Sequence, residues 1–246
     1  ALESRRDRDH CRAQTPAKTT LMRVTLVLPA AGNGSRFGGA LAKQLLPLAG
    51  IPVLRRSLDA FAGLVDEAII PTSATLHDAV ADALGGSPIP VRVILGGATR
   101  QASVHAGLLA CDQTCAVVLV HDAVRPLVPR SCITACLAAL TTHIAALVAI
   151  PCPDTVKRAN TGRLVTETVA RDPLWLAQTP QGFHRSEGLA AFALAAAEGW
   201  ICSDDAQVLE RAGHRVALVP GDRRNLKLTT SDDWAIAEAL IGQNLQ

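Results

Sequence analysis

The sequence predicts an α/β protein built on a doubly wound, mostly parallel sheet. Short apolar runs without clear alternation recur along the chain, a pattern typical of strands that helices cover on both faces. These runs occupy residues 24–28, 68–70, 91–95, 116–120 and 145–150. Between them, apolar residues recur at helical spacing, most clearly at Leu76, Ala79, Val80, Ala83 and Leu84. Strands that alternate with helices over 246 residues favour one large domain.

The remaining elements continue this alternation. Leu54, Leu58 and Phe61 share one helical face, and a further helix follows Pro129, which suits a first turn. Its apolar residues are Ile133, Cys136, Leu137 and Leu140. A later helix is predicted from Leu189, Phe192, Ala193 and Ala196, followed by a strand over 216–219. Ser231 is predicted to cap the last helix, with Asp232 and Asp233 beside its positive end.

Residues 151–169 differ in composition from the rest of the chain. They are rich in Pro, Lys, Arg, Asn and Gly around a short strand over 165–169. This pattern predicts a β-hairpin that projects from the sheet, with residues 160–162 at its tip. We call this segment the arm. Because an isolated hairpin is only marginally stable, the arm is expected to need packing from elsewhere.

Charge and composition exclude several classes of function. Residues 1–20 carry five basic and three acidic side chains, which accounts for the net charge of +2, so the remainder is neutral overall. With aromatic residues at 3% and no Tyr, neither a nucleic-acid groove nor a base-stacking surface is expected. Residues 1–20 have the composition of a flexible leader, and no segment resembles a membrane span. A cytoplasmic protein that binds no membrane is therefore expected.

The seven cysteines give no sign of a disulfide framework or a zinc site. They are an odd number, scattered through the chain, and no C-x-x-C motif is present. Cys111 and Cys115, like Cys132 and Cys136, have helical spacing. We interpret these cysteines as small core residues.

The most informative stretch follows the first strand. Pro29 ends that strand, and the loop after it contains almost no side chains. Small residues allow backbone N–H groups to approach an anion closely, and two cations, Arg36 and Lys43, lie just beyond them. The loop residues are Ala30, Ala31, Gly32 and Gly34. This stretch therefore predicts a phosphate-binding loop.

Two better-known glycine motifs do not fit this loop. A dinucleotide-binding fingerprint requires a third glycine, where Phe37 stands, and an acidic residue near position 52, which is Pro52. A P-loop requires Lys followed by Ser or Thr, but Ala40 and Leu41 follow Gly39. An ordinary turn between a strand and a helix remains the alternative for this loop.

Further polar residues follow the predicted strands at their carboxyl ends, where ligands bind in doubly wound sheets. Gly97, Arg100 and Ser103 follow the strand at 91–95. His121, Asp122 and Arg125 follow the next one, and Thr155 follows the strand at 145–150. Each of these could serve only as a cap or turn residue, but their convergence on one edge favours a site.

The chain resembles a known enzyme family in sequence. PAAGNGSRFGGALAKQLLPLAGIPVL is similar to the signature of enzymes that move a nucleoside monophosphate from an NTP to a sugar or polyol phosphate. Six further blocks resemble the 2-C-methyl-D-erythritol 4-phosphate cytidylyltransferase family and follow in the order typical of it. They are GGATRQASVHAGL, VLVHDAVRPLV, DTVK, TVARDPLWLAQTPQGF, SDDAQVLERAG and NLKLTTSDDWAIAE. The resemblance covers residues 24–240.

The resemblance implies a Rossmann-like nucleotidyltransferase domain over 21–246 and transfer of CMP from CTP to 2-C-methyl-D-erythritol 4-phosphate, in non-mevalonate isoprenoid synthesis. Arg36, Lys43, Arg171 and Lys227 would be the catalytic cations. The nucleotide-binding residues would be Pro29, Ala30, Ala31, Gly32, Gly34, Gly97, Ser103 and Asp122. Asp122 would also face Mg²⁺, which is held mostly by the CTP phosphates.

The resemblance also implies an acceptor site and a homodimer. The acceptor would be held by Asp122, Arg125, Thr155, Arg171, Thr179 and Lys227. The arm would embrace a second subunit and bring Arg171 into the neighbour's site. Two alternatives stay open: a ribitol- or other polyol-phosphate cytidylyltransferase, and a non-catalytic nucleotide-binding relative.

Overall fold

A computed structural model describes residues 22–32 and 42–243 of the chain. The leader at 1–20 and the predicted site residues Gly34 and Arg36 lie outside this part. The strands are β1 Arg23–Val27, β2 Pro47–Leu48, β3 Ile51–Pro52, β4 Glu67–Thr72, β5 Val91–Leu95, β6 Cys115–Val120, β7 Ala145–Pro151, β8 Val156–Ala159, β9 Val165–Val169, β10 Trp175–His184 and β11 Val216–Pro220. The helices are α1 Val53–Asp59, α2 His77–Ala83, α3 Arg100–Ala110, α4 Arg130–Ala139, α5 Arg185–Ala197, α6 Asp205–Arg211 and α7 Ser231–Gln243.

Seven strands form the central sheet, in the order β11-β7-β10-β6-β1-β4-β5. All neighbouring pairs are parallel except those of β10, which runs antiparallel to both β6 and β7. The predicted doubly wound, mostly parallel sheet is therefore confirmed. The carboxyl ends of β1, β5 and β6 lie at the same edge, because these strands run in one direction.

Apolar side chains cover both faces of the sheet. Leu26 of β1 and Leu28, directly after β1, pack in one cluster with residues of α1, α2 and α4. Val27, between them, packs in a second cluster with residues of α3, α5 and α6. Successive side chains of a strand point to opposite faces, so a strand in this position is largely apolar on both faces. This explains the absence of alternation in the sequence.

One detail of the predicted helices is wrong, and three of the alanines used to predict them are exposed. The last helix is capped by Thr230, not Ser231: the Thr230 hydroxyl accepts a bond from the Asp233 N–H at 3.3 Å, and the Asp233 carboxylate accepts one from the Thr230 N–H at 2.7 Å. This reciprocal pair places Ser231 inside the first turn. In α5, Ala193 and Ala196 are exposed. In α2, Ala79 is exposed.

Residues 151–169 form the predicted hairpin. β8 and β9 pair antiparallel as a separate two-stranded sheet, and the Asn160 carbonyl accepts a bond from the Arg163 N–H across the turn. Most of its side chains are exposed, including Leu164 at 68% and Val165 at 63%. In this structure the arm therefore makes little contact with the rest of its own chain.

The cysteines agree with their interpretation as core residues. Cys111, Cys115, Cys132 and Cys136 are buried, and all six cysteines in the described part are free thiols. Among the described helices, none is both long and apolar enough to cross a bilayer.

Gly107 allows α3 to pack closely on β1, so Gly107→Ala should destabilise the fold. A Cβ at this position would lie 2.6 Å from Val27 Cγ1 and 3.3 Å from Pro71 Cγ, both in the packed core. Overpacking of this kind typically costs about 1–3 kcal/mol. The free energy of unfolding in urea measures this loss. Gly242→Ala in α7 is the matched control, because nothing lies within 4 Å of its added Cβ. Equal stability of the two variants would contradict this account of the α3 contact.

Candidate functional site

A cavity of about 540 Å³ opens at the carboxyl ends of β1, β5 and β6. Six stretches of the described chain line it, so the fold, not one motif, builds the site. The lining residues are Pro29, Ala30, Ala31, Gly32, Lys43, Gln44, Ser73, Gly97, Ala98, Thr99, Arg100, Ser103, Asp122, Ala123, Val124 and Lys227.

The loop after β1 is fixed by a buried glutamine. The Gln44 side chain, 2% exposed, donates from Nε2 to the carbonyls of Ala30 at 2.7 Å and Gly32 at 3.0 Å. The Ala30 N–H also donates to the Pro71 carbonyl at 2.8 Å. Gln44 thus sets the direction of two loop carbonyls beside the cavity.

The loop after β5 is fixed by Ser103. Its buried hydroxyl accepts a bond from the Gly97 N–H at 3.1 Å and donates to the Thr99 carbonyl at 2.9 Å. A side chain at Gly97 would collide with Ala102, so only glycine fits this close approach. Ser103 therefore shapes the backbone that faces the cavity.

Asp122 is the electrostatic centre of the site. It is 7% exposed, and three cations contact its carboxylate: Arg100 Nε at 3.3 Å, Arg125 Nε at 3.1 Å and Lys227 Nζ at 3.1 Å. Burial on its own would raise the pKa of Asp122, but Arg100, Lys227 and Arg125 hold that pKa well below its usual range. Asp122 is thus an anion, and it gathers positive charge from three separate segments.

Arg100 is also tied to a second buried carboxylate. Its Nη1 and Nη2 donate to the two oxygens of Asp205 at 3.0 and 2.8 Å, a bidentate pair. Asp205 is the first residue of α6, and its side chain is 2% exposed. This pair fixes the guanidinium plane of Arg100 at the cavity wall.

A chain of hydrogen bonds supports Asp122 from behind. The Asp122 N–H donates to Thr179 Oγ1 at 3.1 Å, the Thr179 hydroxyl lies 2.9 Å from His121 Nδ1, and His121 Nε2 lies 3.1 Å from the Arg125 carbonyl. Since a carbonyl only accepts, Nε2 carries the proton and Nδ1 accepts from Thr179. Burial lowers the pKa of His121 to about 4, so this imidazole is neutral at pH 7.

The segment before α7 closes the site. Arg125 Nη1 donates to the Asn225 carbonyl at 2.7 Å, and Lys43 Nζ donates to the Leu228 carbonyl at 2.9 Å. The Leu228 N–H donates to the Val124 carbonyl at 2.9 Å. Lys43 and Lys227, which are far apart in sequence, are thereby brought to one wall of the cavity.

The sequence model described as IspD, 2-C-methyl-D-erythritol 4-phosphate cytidylyltransferase, matches residues 24–243. The chain belongs to this family. It is therefore a nucleotidyltransferase by family membership.

Similar proteins carry the family's name. The 2-C-methyl-D-erythritol 4-phosphate cytidylyltransferase of Deinococcus radiodurans is 44% identical over 91% of this chain and 92% of its own. That of Symbiobacterium thermophilum is 41% identical, covering 89% and 92%. The crystal structure of 4-diphosphocytidyl-2C-methyl-D-erythritol synthase from Anaerococcus prevotii superposes with a TM-score of 0.80, at 29% identity, over 90% of this chain and 99% of that one.

The structure brings together most of the cytidylyltransferase site residues expected from the sequence. Nine of them line the cavity: Pro29, Ala30, Ala31, Gly32, Lys43, Gly97, Ser103, Asp122 and Lys227. Arg125 and Thr179 lie behind it, in contact with Asp122. Thr155 in the arm and Arg171 just after it are exposed and do not line the cavity, and Arg171 Nη1 donates to the Pro153 carbonyl at 2.8 Å.

Sequence reasoning missed several residues that shape this cavity or support it from behind. Gln44, Asp205 and Asn225 were not identified as site residues, and Arg100 and His121 were given no role. Asp205 lies in the motif SDDAQVLERAG, and Asn225 lies in NLKLTTSDDW. Their position inside these motifs was the only sequence signal that could have marked them as site residues. Their partners lie 105 and 46 residues away, and no local pattern shows such distant pairs.

His121 should make stability depend on pH. The folded pKa is about 4 against 6.5 for a free imidazole, so its contribution is fully present above pH 6.5 and is lost as pH falls toward 4. The loss amounts to about 3 kcal/mol at most. His121→Gln, which keeps one donor and one acceptor, should lose less free energy of unfolding between pH 7 and 4.5 than the unmodified protein does. His143→Gln, at an exposed site, is the control, and a loss there as small as in His121→Gln would contradict the assignment.

Proposed function

We propose that the cavity binds CTP and 2-C-methyl-D-erythritol 4-phosphate and transfers CMP between them, releasing pyrophosphate in non-mevalonate isoprenoid synthesis. The convergence of Lys43, Arg100 and Lys227 around one cavity supports this most directly, because both substrates are phosphate anions. Membership of the family supports the choice of nucleotide and of acceptor.

The reaction needs positioned cations, not a side-chain nucleophile. An oxygen of the acceptor phosphate attacks the α-phosphorus of CTP, and the bond from that phosphorus to the pyrophosphate oxygen breaks. Negative charge grows on the α-phosphoryl oxygens and on the departing pyrophosphate. Fixed cations in a partly enclosed cavity stabilise this charge without reorganising.

Lys43 is assigned the role of stabilising the transition state. Its ammonium group reaches the Leu228 carbonyl, next to Lys227, and so lies where the two substrates would meet. Arg36 is assigned the same role from the family resemblance. Its guanidinium would offer a planar fork to phosphate oxygens, whereas Lys43 supplies a compact charge.

The nucleotide is assigned to the two small-residue loops. The backbone of residues 29–32, with Gly34, would hold the triphosphate, and Gly97 with Ser103 would face the base. Gln44 and Ser103 already hold these loops in place, so little ordering would be needed in the described parts. Asp122 remains the proposed partner of a ribose hydroxyl.

The acceptor is assigned to the wall of the cavity that carries Lys227. Lys227 and Arg125 would bind its phosphate together with Arg171 and Thr155, which the arm of a second subunit would supply. Thr179 acts indirectly, because its hydroxyl proton is donated to His121 and its oxygen accepts from Asp122. It is 3% exposed, so it would hold Asp122 in place for the acceptor.

The described residues do not form a magnesium site of their own. Both oxygens of Asp122 are occupied by cationic side chains, and within 22–32 and 42–243 no three His, Cys, Asp or Glu residues converge as ligands. The expectation that Asp122 holds the ion directly therefore does not fit. Mg²⁺ remains part of the proposal only as an ion carried by the CTP phosphates.

We also propose a cytoplasmic homodimer. The exposed arm, with Leu164 and Val165 uncovered, supports association, because a two-stranded sheet alone is marginally stable. Free thiols at all six cysteines of the described part suit a reducing compartment.

Pyrophosphate release with CTP and a panel of polyol phosphates tests the proposed reaction. We expect the highest kcat/KM with 2-C-methyl-D-erythritol 4-phosphate, because the family match favours this acceptor. A preference for ribitol 5-phosphate would replace the acceptor, and no release with any acceptor would favour a non-catalytic protein.

Lys43→Ala is the control that assigns turnover to this cavity. Its kcat should fall by about two orders of magnitude, as the loss of one transition-state contact commonly does, with a smaller change in CTP affinity. A kcat close to that of the unmodified enzyme would remove Lys43 from the mechanism.

Mixed dimers test whether Arg171 acts in the neighbouring site. Arg36→Ala and Arg171→Ala homodimers should both be inactive, but a mixed dimer would place both defects in one site and leave the other intact. Random association of equal amounts gives roughly half mixed dimers, so about a quarter of the original activity should return. No recovery, although native mass spectrometry shows mixed dimers, would place Arg171 in its own subunit's site or in neither.

A further inference from the structure

We infer that Asn225 is a positioning residue for the acceptor half of the site, a role that rests on the proposed function. Its side chain ties the segment 222–228, which carries Lys227, to the irregular part of β10 that carries Thr179. Asn225 is fully buried and does not line the cavity, so it would act through its neighbours.

The two amide hydrogens of Asn225 make the connection. Nδ2 donates to the Thr179 carbonyl at 2.7 Å and to Gln178 Oε1 at 3.2 Å. Both partners are acceptors, so a side chain with two donors suits this point, although Gln178 Oε1 also accepts from the Asp222 N–H at 3.4 Å. The side chain keeps this orientation although its Oδ1 is buried without a hydrogen-bond partner in the described part of the chain. The two donated bonds therefore determine its placement.

The partners of Asn225 lie at an irregularity of β10. The pairing of β10 with β7 shifts register between Ala177 and Gln181, so the backbone around Thr179 leaves the regular ladder. Gln178 also binds the segment, through a bond from its Nε2 to the Asp222 carbonyl at 2.9 Å. Hydrogen bonds from the side chains of Asn225 and Gln178 thus hold this part of β10 where its backbone pairing with β7 is interrupted.

Two acceptor-binding cations depend on the position of this segment. The Asn225 carbonyl accepts the 2.7 Å bond from Arg125 Nη1, which leaves Arg125 Nε directed at Asp122. Lys227 follows two residues later and is 42% exposed, and Asp122 is its only partner among the residues that the structure describes. Its long side chain is therefore placed by the backbone that carries it, and a small shift at Asn225 would move both cations relative to Asp122.

Asn225→Asp separates positioning from simple stability. The variant has the same size but turns a carboxylate toward two acceptor oxygens, so the connection to Thr179 is lost. We expect the KM for 2-C-methyl-D-erythritol 4-phosphate to rise about ten-fold, the size of one net hydrogen bond, and the KM for CTP to change by less than about two-fold. Unchanged values, or equal rises for both substrates, would overturn the inference.

A double variant tests whether Asn225 acts through Lys227. Lys227→Met alone should raise the acceptor KM, and adding Asn225→Asp should raise it by much less than about ten-fold more, because coupled residues are not additive. Full multiplication of the two effects would show general damage and contradict positioning. Gln113→Glu, the same amide-to-carboxylate change in the exposed turn before β6, should leave both KM values unchanged.

Phosphate binding keeps the test independent of the acceptor's identity. Calorimetric titration with inorganic phosphate should show weaker binding in Asn225→Asp than in the unmodified protein, even if another polyol phosphate proves to be the acceptor. Equal binding would overturn the inference and leave the proposed reaction untouched. If thermal melting shows that Asn225→Asp does not fold, Asn225→Ser, which keeps one donor, carries the same comparison with a rise of about three-fold.

Discussion

A buried carboxylate with three cations around it is the interaction on which the site depends. Ionised Asp122 is 7% exposed, and leaving such a charge unpaired in the interior costs several kcal/mol. Arg100, Arg125 and Lys227 supply the compensation, and they come from the start of α3, the loop after β6 and the segment before α7. Each of these segments must therefore reach the same point. The anion-binding surface is therefore assembled as the sheet folds.

The groups behind the cavity explain how flexible side chains hold fixed positions. Asp205 holds Arg100 by two bonds, the Asn225 carbonyl holds Arg125, and Gln44 holds the carbonyls of the loop after β1. Each of these supporting residues is buried, and each binds its partner through a directed hydrogen bond. Such support matters for any electrostatic stabilisation, because misplaced charges lose most of their effect.

Sequence reasoning was reliable where a run of β-branched or apolar residues is bounded by turn residues. β5 and β9 were predicted with their bounds, because a run between turn residues has clear limits. It failed where composition is degenerate. In α5, alanines lie on every side, so the inward face at Ala191 and Ala195 could not be distinguished from Ala193. Thr230 and Ser231 are both capping residues, and only the Asp233 carboxylate selects the first. For the site, the motifs gave the cations, but the Arg100 and Asp205 pair forms only in three dimensions.

The antiparallel strand β10 links two regions that the sequence treats separately. Its first residues pair with β7 at the base of the arm, where Trp175 lies opposite Pro151, and its middle carries Thr179 beside Asp122. One continuous strand thus has one end at the arm and the other in the core. If ordering of the arm by a partner restricts Thr179 through this strand, thermodynamic reciprocity requires that a ligand which fixes Thr179 strengthens the partner's hold on the arm by the same factor. Subunit assembly and acceptor binding would then be thermodynamically coupled, each favouring the other.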